Sequence, residues 1–469
     1  MTVPANIFRE YDIRGVAERD LSDDLAEGIG RGFGAMLHAD RAAGAAGRLV
    51  LAVGRDCRLS SPRLHAALLR GLTTAGVDVV DIGVGPTPML YFAVHHLGTD
   101  GGIMITGSHN PGDENGFKMM RGKASFFGAE IQKLRERIVG KDFGAPGGAG
   151  KVEARGVEDA YVAAMKERFD FSGSHLVFTV DAGNGSGGPL AMRVMKELGL
   201  SPDPLFCEMD GRFPNHHPDP TVEKNLEALA LRVKETGARV GIAYDGDADR
   251  LGAIDAQGNV IWGDKLMILF SRALLARKPG ATILGEVKCS QTLYDDIAKH
   301  GGTPLVWKTG HSLIKSKMKE TGAMLAGEMS GHLFFADRYF GYDDAIYASL
   351  RLLEILAKDP RSLADMLSDV PRTFSTPELR VDCPDALKFQ VVAAVTRHFK
   401  DKGNRVLDID GARVSFPGTS SAPKWGLVRA SNTGPILVMR FEAGTEAELA
   451  EIRAEVEAVV TAERAKLAG

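Results

Sequence analysis

Three carboxylates stand within five residues in the run Asp245-Gly246-Asp247-Ala248-Asp249-Arg250. Like charges at that spacing repel unless something positive sits among them, so the run reads as a seat for a hard cation. The small number of protein oxygens suits Mg²⁺, which shares its shell with phosphate oxygens, and Arg250 adds a guanidinium able to neutralise an anion. An EF-hand is excluded, because its glycine and glutamate positions would fall on Arg250 and Ala256. A second run is Thr106-Gly107-Ser108-His109-Asn110-Pro111. Pro111 removes a donor and biases Asn110 away from helix, so this segment is a turn in which Gly107 allows close backbone approach. Ser108, beside a histidine and an asparagine, suits a nucleophilic or phosphate-carrying serine. Taken by itself, the hexapeptide favours a plain polar turn. Lys118 follows in GDENGFKMM and can bring an amine to the same cleft.

Two further runs carry polar side chains at useful spacing. In Gly327-Glu328-Met329-Ser330-Gly331-His332, Glu328 and Ser330 alternate, so both can face vicinal hydroxyls, and His332 is a candidate acid or base. A serine turn with a surface histidine explains that hexapeptide equally well. Arg429-Ala430-Ser431-Asn432-Thr433-Gly434-Pro435 offers a guanidinium, two hydroxyls and an amide, a set that can cradle phosphate. Alone, it reads rather as a loop before the strand at 436–442. The turn Gly183-Asn184-Gly185-Ser186-Gly187-Gly188 satisfies the G-x-G-x-x-G pattern of dinucleotide-binding proteins. A nicotinamide-dependent oxidoreductase is therefore the alternative class. A tight strand-to-helix turn is preferred, since the dinucleotide reading leaves the other loops unexplained.

The elements that must position these loops follow a βαβ pattern. Strands are expected at 49–53, 77–82, 102–105, 176–180, 239–244, 282–287, 303–308 and 323–326. Helices are expected at 61–74, 129–139, 157–169 and 188–198. The Gly-rich segment 141–151 reads as a linker, and 359–371 as a boundary. The last hundred or so residues hold extended segments at 378–381 and 436–442 and a long helix at 446–467, a smaller α+β domain. Three of the polar loops follow apolar strands directly, the place where ligands bind in open α/β sheets. One shared cleft is the expectation.

The chain has 469 residues, 44% hydrophobic and 25% charged, with a formal net charge of −4, which is ordinary for a multidomain globular protein. It has no global excess of positive charge for nucleic acid. No apolar run reaches the ~18 residues needed to span a bilayer. The N-terminal residues lack the apolar core of a secretory leader, so a cytoplasmic location is expected. Cys57, Cys207, Cys289 and Cys383 are far apart and read as reduced thiols.

In this order and at these separations, TGSHNP, DGDADR, GEMSGH and RASNTG resemble the active-site loops of the α-D-phosphohexomutase superfamily, in its bacterial phosphomannomutase/phosphoglucomutase group. FREYDIRG, GRDCRLSSP, VKCSQTLYD, KTGHSLIK and FGYDDAIYASL extend the resemblance along nearly the whole chain. It implies three similar α/β domains with mixed sheets plus a C-terminal α+β domain like the TATA-binding protein, heart-shaped around a central cleft. The corresponding divisions are 1–150, 151–256, 257–368 and 369–469. It implies a phosphorylated Ser108, with Ser108, Asp245, Asp247 and Asp249 on Mg²⁺, and Arg14 and Lys118 as basic neighbours. Arg250 and His332 join the reacting set, His332 as acid or base. Tyr11, Lys288, His311, Glu328, Ser330, Arg429, Ser431, Asn432 and Thr433 are the implied substrate contacts. The implied reaction moves phosphate between the 1 and 6 positions of a hexose through a hexose 1,6-bisphosphate, which also serves as primer. A monomer is expected. GEMSGH resembles the dual mannose/glucose group, whereas relatives acting on glucosamine phosphate carry GEQSGH. The one departure is Ala248, where many relatives have glycine.

Overall fold

The computed structural model describes residues 3–41, 47–144, 148–418, 422–432 and 434–468. The chain divides into two compact units, Met1–Leu266 with Ser330–Asp365, and Met267–Met329 with Met366–Gly469. The architecture is α/β with mixed sheets in four parts, as expected from the alternating strand and helix signals.

The first unit contains two mixed sheets. In one, the parallel strands Gly101–Ile105, Val50–Arg55, Asp78–Val84 and Val152–Ala154 lie in that order. Glu114–Arg121 pairs antiparallel with Gly101–Ile105, and Ile13–Val16 antiparallel with Glu114–Arg121. Gly101–Ile105 is buried on both faces, as a central strand should be. Helix Ser61–Thr74 forms where expected. Pro62 sits in its first turn, and Leu64, Leu68 and Leu72, four residues apart, make one buried stripe. The expected linker 141–151 includes residues 145–147, which lie outside the described residues.

The second sheet of this unit places Phe178–Asp181 between Asp203–Leu205 and Val240–Tyr244, all parallel. Leu251–Asp255 returns antiparallel to Val240–Tyr244, so the acidic run is the connection of a β-hairpin. The helix Ala345–Lys358 starts on Asp344, whose carboxylate accepts the Tyr347 amide at 2.9 Å.

In the second unit, Thr303–Trp307, Thr282–Glu286 and Leu325–Gly327 form a parallel set with Thr282–Glu286 at its centre. The C-terminal part is an antiparallel sheet on which helices Asp385–Asp401 and Glu446–Ala468 pack. Val391, Val395, Phe399, Ile452 and Val456 meet Val414, Leu437 and Phe441 there. Most expected elements form within a few residues of their sequence-based bounds, because their apolar periodicity matches the face they bury.

Candidate active site

The serine turn leaves the end of Gly101–Ile105, and Ser108 adopts φ +50°. A non-glycine residue in that region is held there by its surroundings. The holder is Arg58, a fully buried guanidinium. Its Nη2 donates to the carbonyls of Ser108 (2.7 Å) and Asn110 (2.6 Å), and its Nη1 to those of Pro111 (2.5 Å) and Glu114 (2.9 Å). Asp56 lies 3.2 Å from Arg58 Nε and accepts the Gly107 amide at 3.1 Å. A Cβ at residue 107 would stand 2.5 Å from the guanidinium carbon, so only glycine fits there.

Ser108 Oγ, thus aimed, donates to Asp245 Oδ2 at 2.8 Å and lies 3.1 Å from His109 Nδ1. Burial, Arg250 and Arg14 hold the His109 imidazole well below its ordinary pKa, so this ring is neutral. The carboxylates of Asp245, Asp247 and Asp249 are all buried, and each offers an oxygen within 4.8 Å of the others. The hairpin turn brings them together. Asp245 Oδ1 accepts the amides of Asp249 and Arg250, both at 3.1 Å. Lys118 Nζ donates to Asp247 Oδ2 at 2.7 Å and also to Asp249 Oδ2. Burial opposes the charge on Lys118, but Asp247 and Asp249 outweigh it and its pKa is raised. Burial likewise opposes ionisation of Asp247, yet Lys118 keeps it low, whereas burial and the two other aspartates push Asp245 up. Asp247 Oδ1 and Asp249 Oδ1 are buried without a hydrogen-bond partner among the described residues. Buried carboxylate oxygens left open in this way fit a metal ion that takes hard oxygen ligands.

Arg14 completes the cationic side. Its Nε donates to Asp12 at 2.7 Å, and its Nη1 donates to Gly107 O at 3.1 Å and Asn110 Oδ1 at 3.0 Å. Burial works against this charge, but Asp12 and Asp247 win and raise its pKa. Arg250 Nε donates to His332 Nε2 at 3.0 Å. A guanidinium only donates, so Nε2 is the accepting nitrogen and the ring proton lies on Nδ1, 3.0 Å from Asp343 and 3.6 Å from Asp249. Tyr11 is half-buried in the bend before Ile13–Val16. The first unit therefore brings together Arg14, Ser108, Lys118, the three aspartates, Arg250 and His332.

The second unit holds Lys288, His311, Glu328, Arg429, Ser431 and Asn432, while Ser330 belongs to the first. Thr433 lies outside the described residues. Burial opposes the charge on Lys288, but Glu286 and Glu378 raise its pKa; Lys288 in turn holds Glu378 down at about 2. Glu328 Oε1 accepts the Gly310 amide at 2.6 Å, one residue before His311. Arg429 Nε donates to Asp410 at 3.1 Å. Lys388 Nζ donates to the carbonyls of Ser431 (2.6 Å) and Gly434 (3.1 Å).

Sequence reasoning missed several of these positions. Arg58, Asp56, Asp343, Lys388 and Asp410 act from outside the four loops. Thr87 also lay beyond its reach, although its hydroxyl donates to Asp247 Oδ2 and its amide to Asp247 O at 2.9 Å. The glycine-rich turn at Gly183 is a strand-to-helix connection packed on the acidic hairpin. Ser186 N donates to Gly246 O at 2.9 Å, and a Cβ on Gly187 would meet that of Ala248 at 2.4 Å. Gly185 and Gly187 make room for the acidic hairpin, which removes the sequence argument for a nicotinamide site. Ala248 has φ +54°, and its methyl fits because residue 187 has none. The aspartates on either side keep their places.

The comparisons with known proteins bear on the family and the fold. Residues 5–144, 159–258 and 262–374 match the α/β/α domains I, II and III of phosphoglucomutase/phosphomannomutase, and 378–459 its C-terminal domain. A phosphomannomutase/phosphoglucomutase of Pseudomonas aeruginosa is 45% identical over 452 residues, 96% of this chain and 95% of that protein. A phosphoglucomutase of Neisseria gonorrhoeae is 43% identical, covering 98% of this chain and 97% of its own. The crystal structure of a phosphoglucomutase/phosphomannomutase family protein from Burkholderia thailandensis superposes with a TM-score of 0.90 at 43% identity, covering 98% of each chain. A buried serine beside a carboxylate triad on this fold defines a phosphohexomutase. The chain belongs to the phosphoglucomutase/phosphomannomutase family. No helix among the described residues is long and apolar enough to cross a membrane.

Proposed function

We propose that the protein moves phosphate reversibly between the 1 and 6 positions of hexoses, mannose and glucose alike, with Ser108 as the phosphoryl carrier. The observation that carries this reading is the Ser108 hydroxyl 2.8 Å from Asp245, in a buried cluster that pairs three carboxylates with Lys118. Phosphoryl transfer asks chiefly for alignment and neutralised charge, which this cluster supplies. The free hydroxyl of a hexose phosphate attacks the phosphorus of phosphorylated Ser108. The new bond joins phosphorus to the sugar oxygen as the bond to Ser108 Oγ breaks. The hexose 1,6-bisphosphate so formed turns end over end and returns its other phosphate to Ser108, and added bisphosphate primes enzyme that lacks the phosphate. His332 is the acceptor for the hydroxyl proton. Its Nε2 accepts from Arg250 Nε at 3.0 Å, so the hand-over needs Arg250 to turn toward the phosphoryl group, which its charge favours.

Asp245, Asp247, Asp249 and an oxygen carried on Ser108 would hold Mg²⁺, which supplies positive charge to the transferring group. Lys118 and Arg14 hold that charge in place from the protein side. Tyr11, Lys288, His311, Glu328 and Ser330 meet the sugar, and Arg429, Ser431, Asn432 and Thr433 take the phosphate that is not reacting. Met329 favours mannose and glucose over glucosamine phosphate. The four matched family segments support four domains; the expected division at 150 falls between two segments, whereas 256 and 368 fall two and six residues inside the segments that end at 258 and 374. One copy carries every residue this reading uses, which favours a working monomer. The test measures kcat/KM for mannose 1-phosphate, glucose 1-phosphate and glucosamine 1-phosphate with catalytic hexose bisphosphate, alongside peptide mapping of phosphate. Turnover of the first two and a phosphopeptide at Ser108 support it. Turnover by a Ser108→Ala variant at the wild-type rate overturns it.

A further inference from the structure

Among the charged groups of the second unit that the proposed chemistry does not use, two carboxylates meet at one residue. Asp410 accepts Arg429 Nε at 3.1 Å, and the same oxygen accepts the Thr309 amide at 3.0 Å. The Thr309 hydroxyl donates in the other direction, to Glu286 Oε2 at 2.7 Å. Glu286 is fully buried at the end of the central parallel strand, and it accepts the Lys288 amide at 2.9 Å and the Met329 amide at 3.3 Å. One residue on, the Gly310 amide donates to Glu328 at 2.6 Å. A continuous set of hydrogen bonds thus runs from Arg429 through Asp410, Thr309 and Glu286 to the loops of Lys288 and Glu328.

We infer that Thr309 is a positioning residue that couples the phosphate-gripping arginine to the sugar-contacting loops. The inference rests on the proposed function for what those loops bind. The physical case is that Glu286 cannot be rehydrated where it lies, so its partners are fixed and so is the Thr309 side chain. The Thr309 backbone is then fixed too, and with it the carboxylate that aligns the Arg429 fork. A phosphate arriving at Arg429 meets a guanidinium already oriented, and the sugar loops share the same anchor.

Thr309→Val keeps the β-branched shape and removes the hydroxyl, and Thr309→Ser keeps the hydroxyl. Two constants are measured for each: KM for glucose 1-phosphate, and Ki for inorganic phosphate as a competitive inhibitor that contains no sugar. Thr309→Val should raise both on the order of tenfold, as the loss of one hydrogen bond to a charged group implies, with kcat within about threefold. Thr309→Ser should restore both. A rise in KM with Ki unchanged means that Thr309 serves the sugar loops alone and overturns the coupling, as does no change in either. Should Thr309→Val not fold, Asp410→Asn gives the same reading from the other end, with the paired rise expected and a rise in one constant alone overturning the inference. A wild-type protein that does not interconvert hexose phosphates overturns the site reading and the coupling together. An active wild type with an unaltered variant overturns the coupling only.

Discussion

The carboxylate cluster of the first unit and the loop cluster of the second both concentrate charge, and they hold it in different ways. Around Ser108 the carboxylates and Lys118 are buried against one another, and Lys118, Asp247 and Asp249 are almost without exposure. In the second unit the cations rest on carboxylates that keep some contact with solvent, Lys288 on Glu378 and Arg429 on Asp410. A buried charge whose partner is removed has nothing to replace it. A partly open pair can exchange its partner for a ligand. The first arrangement suits a reacting centre that must not rearrange, the second a surface that must accept and release a substrate.

Substitutions at four positions test that contrast, the most damaging first. Ser108→Ala should abolish the carrier and lower kcat by on the order of 10³-fold or more, with KM hardly changed, as read in a coupled steady-state assay with bisphosphate present. Asp247→Asn should cost roughly 10²–10³-fold in kcat and shift the Mg²⁺ titration to higher concentration, since it strips charge from the metal seat and unpairs Lys118. Wild-type activity in excess chelator would contradict the metal seat. Arg429→Ala should act on KM instead, by about 2–3 kcal/mol, for 1-phosphate and 6-phosphate substrates alike, with Arg429→Lys recovering only part because Lys lacks the fork. A change confined to one direction of the reaction would show that this loop does not serve both orientations.

The smallest effect concerns stability. Lys288 holds Glu378 at about 2, below the ordinary carboxylate value, so the pair stabilises the folded state above the unfolded pKa. That contribution, about 1–2 kcal/mol after allowing for partial exposure, is lost as pH falls from roughly 5 toward 2. Glu378→Gln should flatten the acid limb of a thermal-melting profile by that amount and leave the profile above pH 6 parallel to wild type. An unaltered acid limb would remove Glu378 from the account.

Much of this was readable in the sequence because it was local. The alternating aspartates sit on one hairpin, and the serine turn directly follows an apolar strand. Hydrophobic periodicity placed the helix Ser61–Thr74 to the residue, because that periodicity is what buries it. What sequence spacing did not contain was the support. Arg58 reaches Ser108 across 50 positions and Thr87 reaches Asp247 across 160. Such contacts are set by the order of strands in a sheet. Nor does a serine advertise a left-handed backbone, since that conformation is held by the Arg58 bonds to carbonyls at and after it and by the Asp56 bond to the Gly107 amide before it. The same holds for Thr309, an ordinary polar residue in KTGHSL until Glu286 and Asp410 are placed around it.

The backbone at residue 108 also bears on which alcohol can carry the phosphate. At φ +50° a second branch on Cβ crowds the main chain, and β-branched residues are rare there. Threonine has an equally good hydroxyl, yet it would add roughly 1–3 kcal/mol of strain at this position or swing its oxygen away from Asp245. The Arg58 clamp leaves no slack in which to relieve that strain, because four neighbouring carbonyls are tied to one guanidinium. For the proposed carrier, stereochemistry of the chain thus favours serine over threonine, two bonds away from the hydroxyl oxygen.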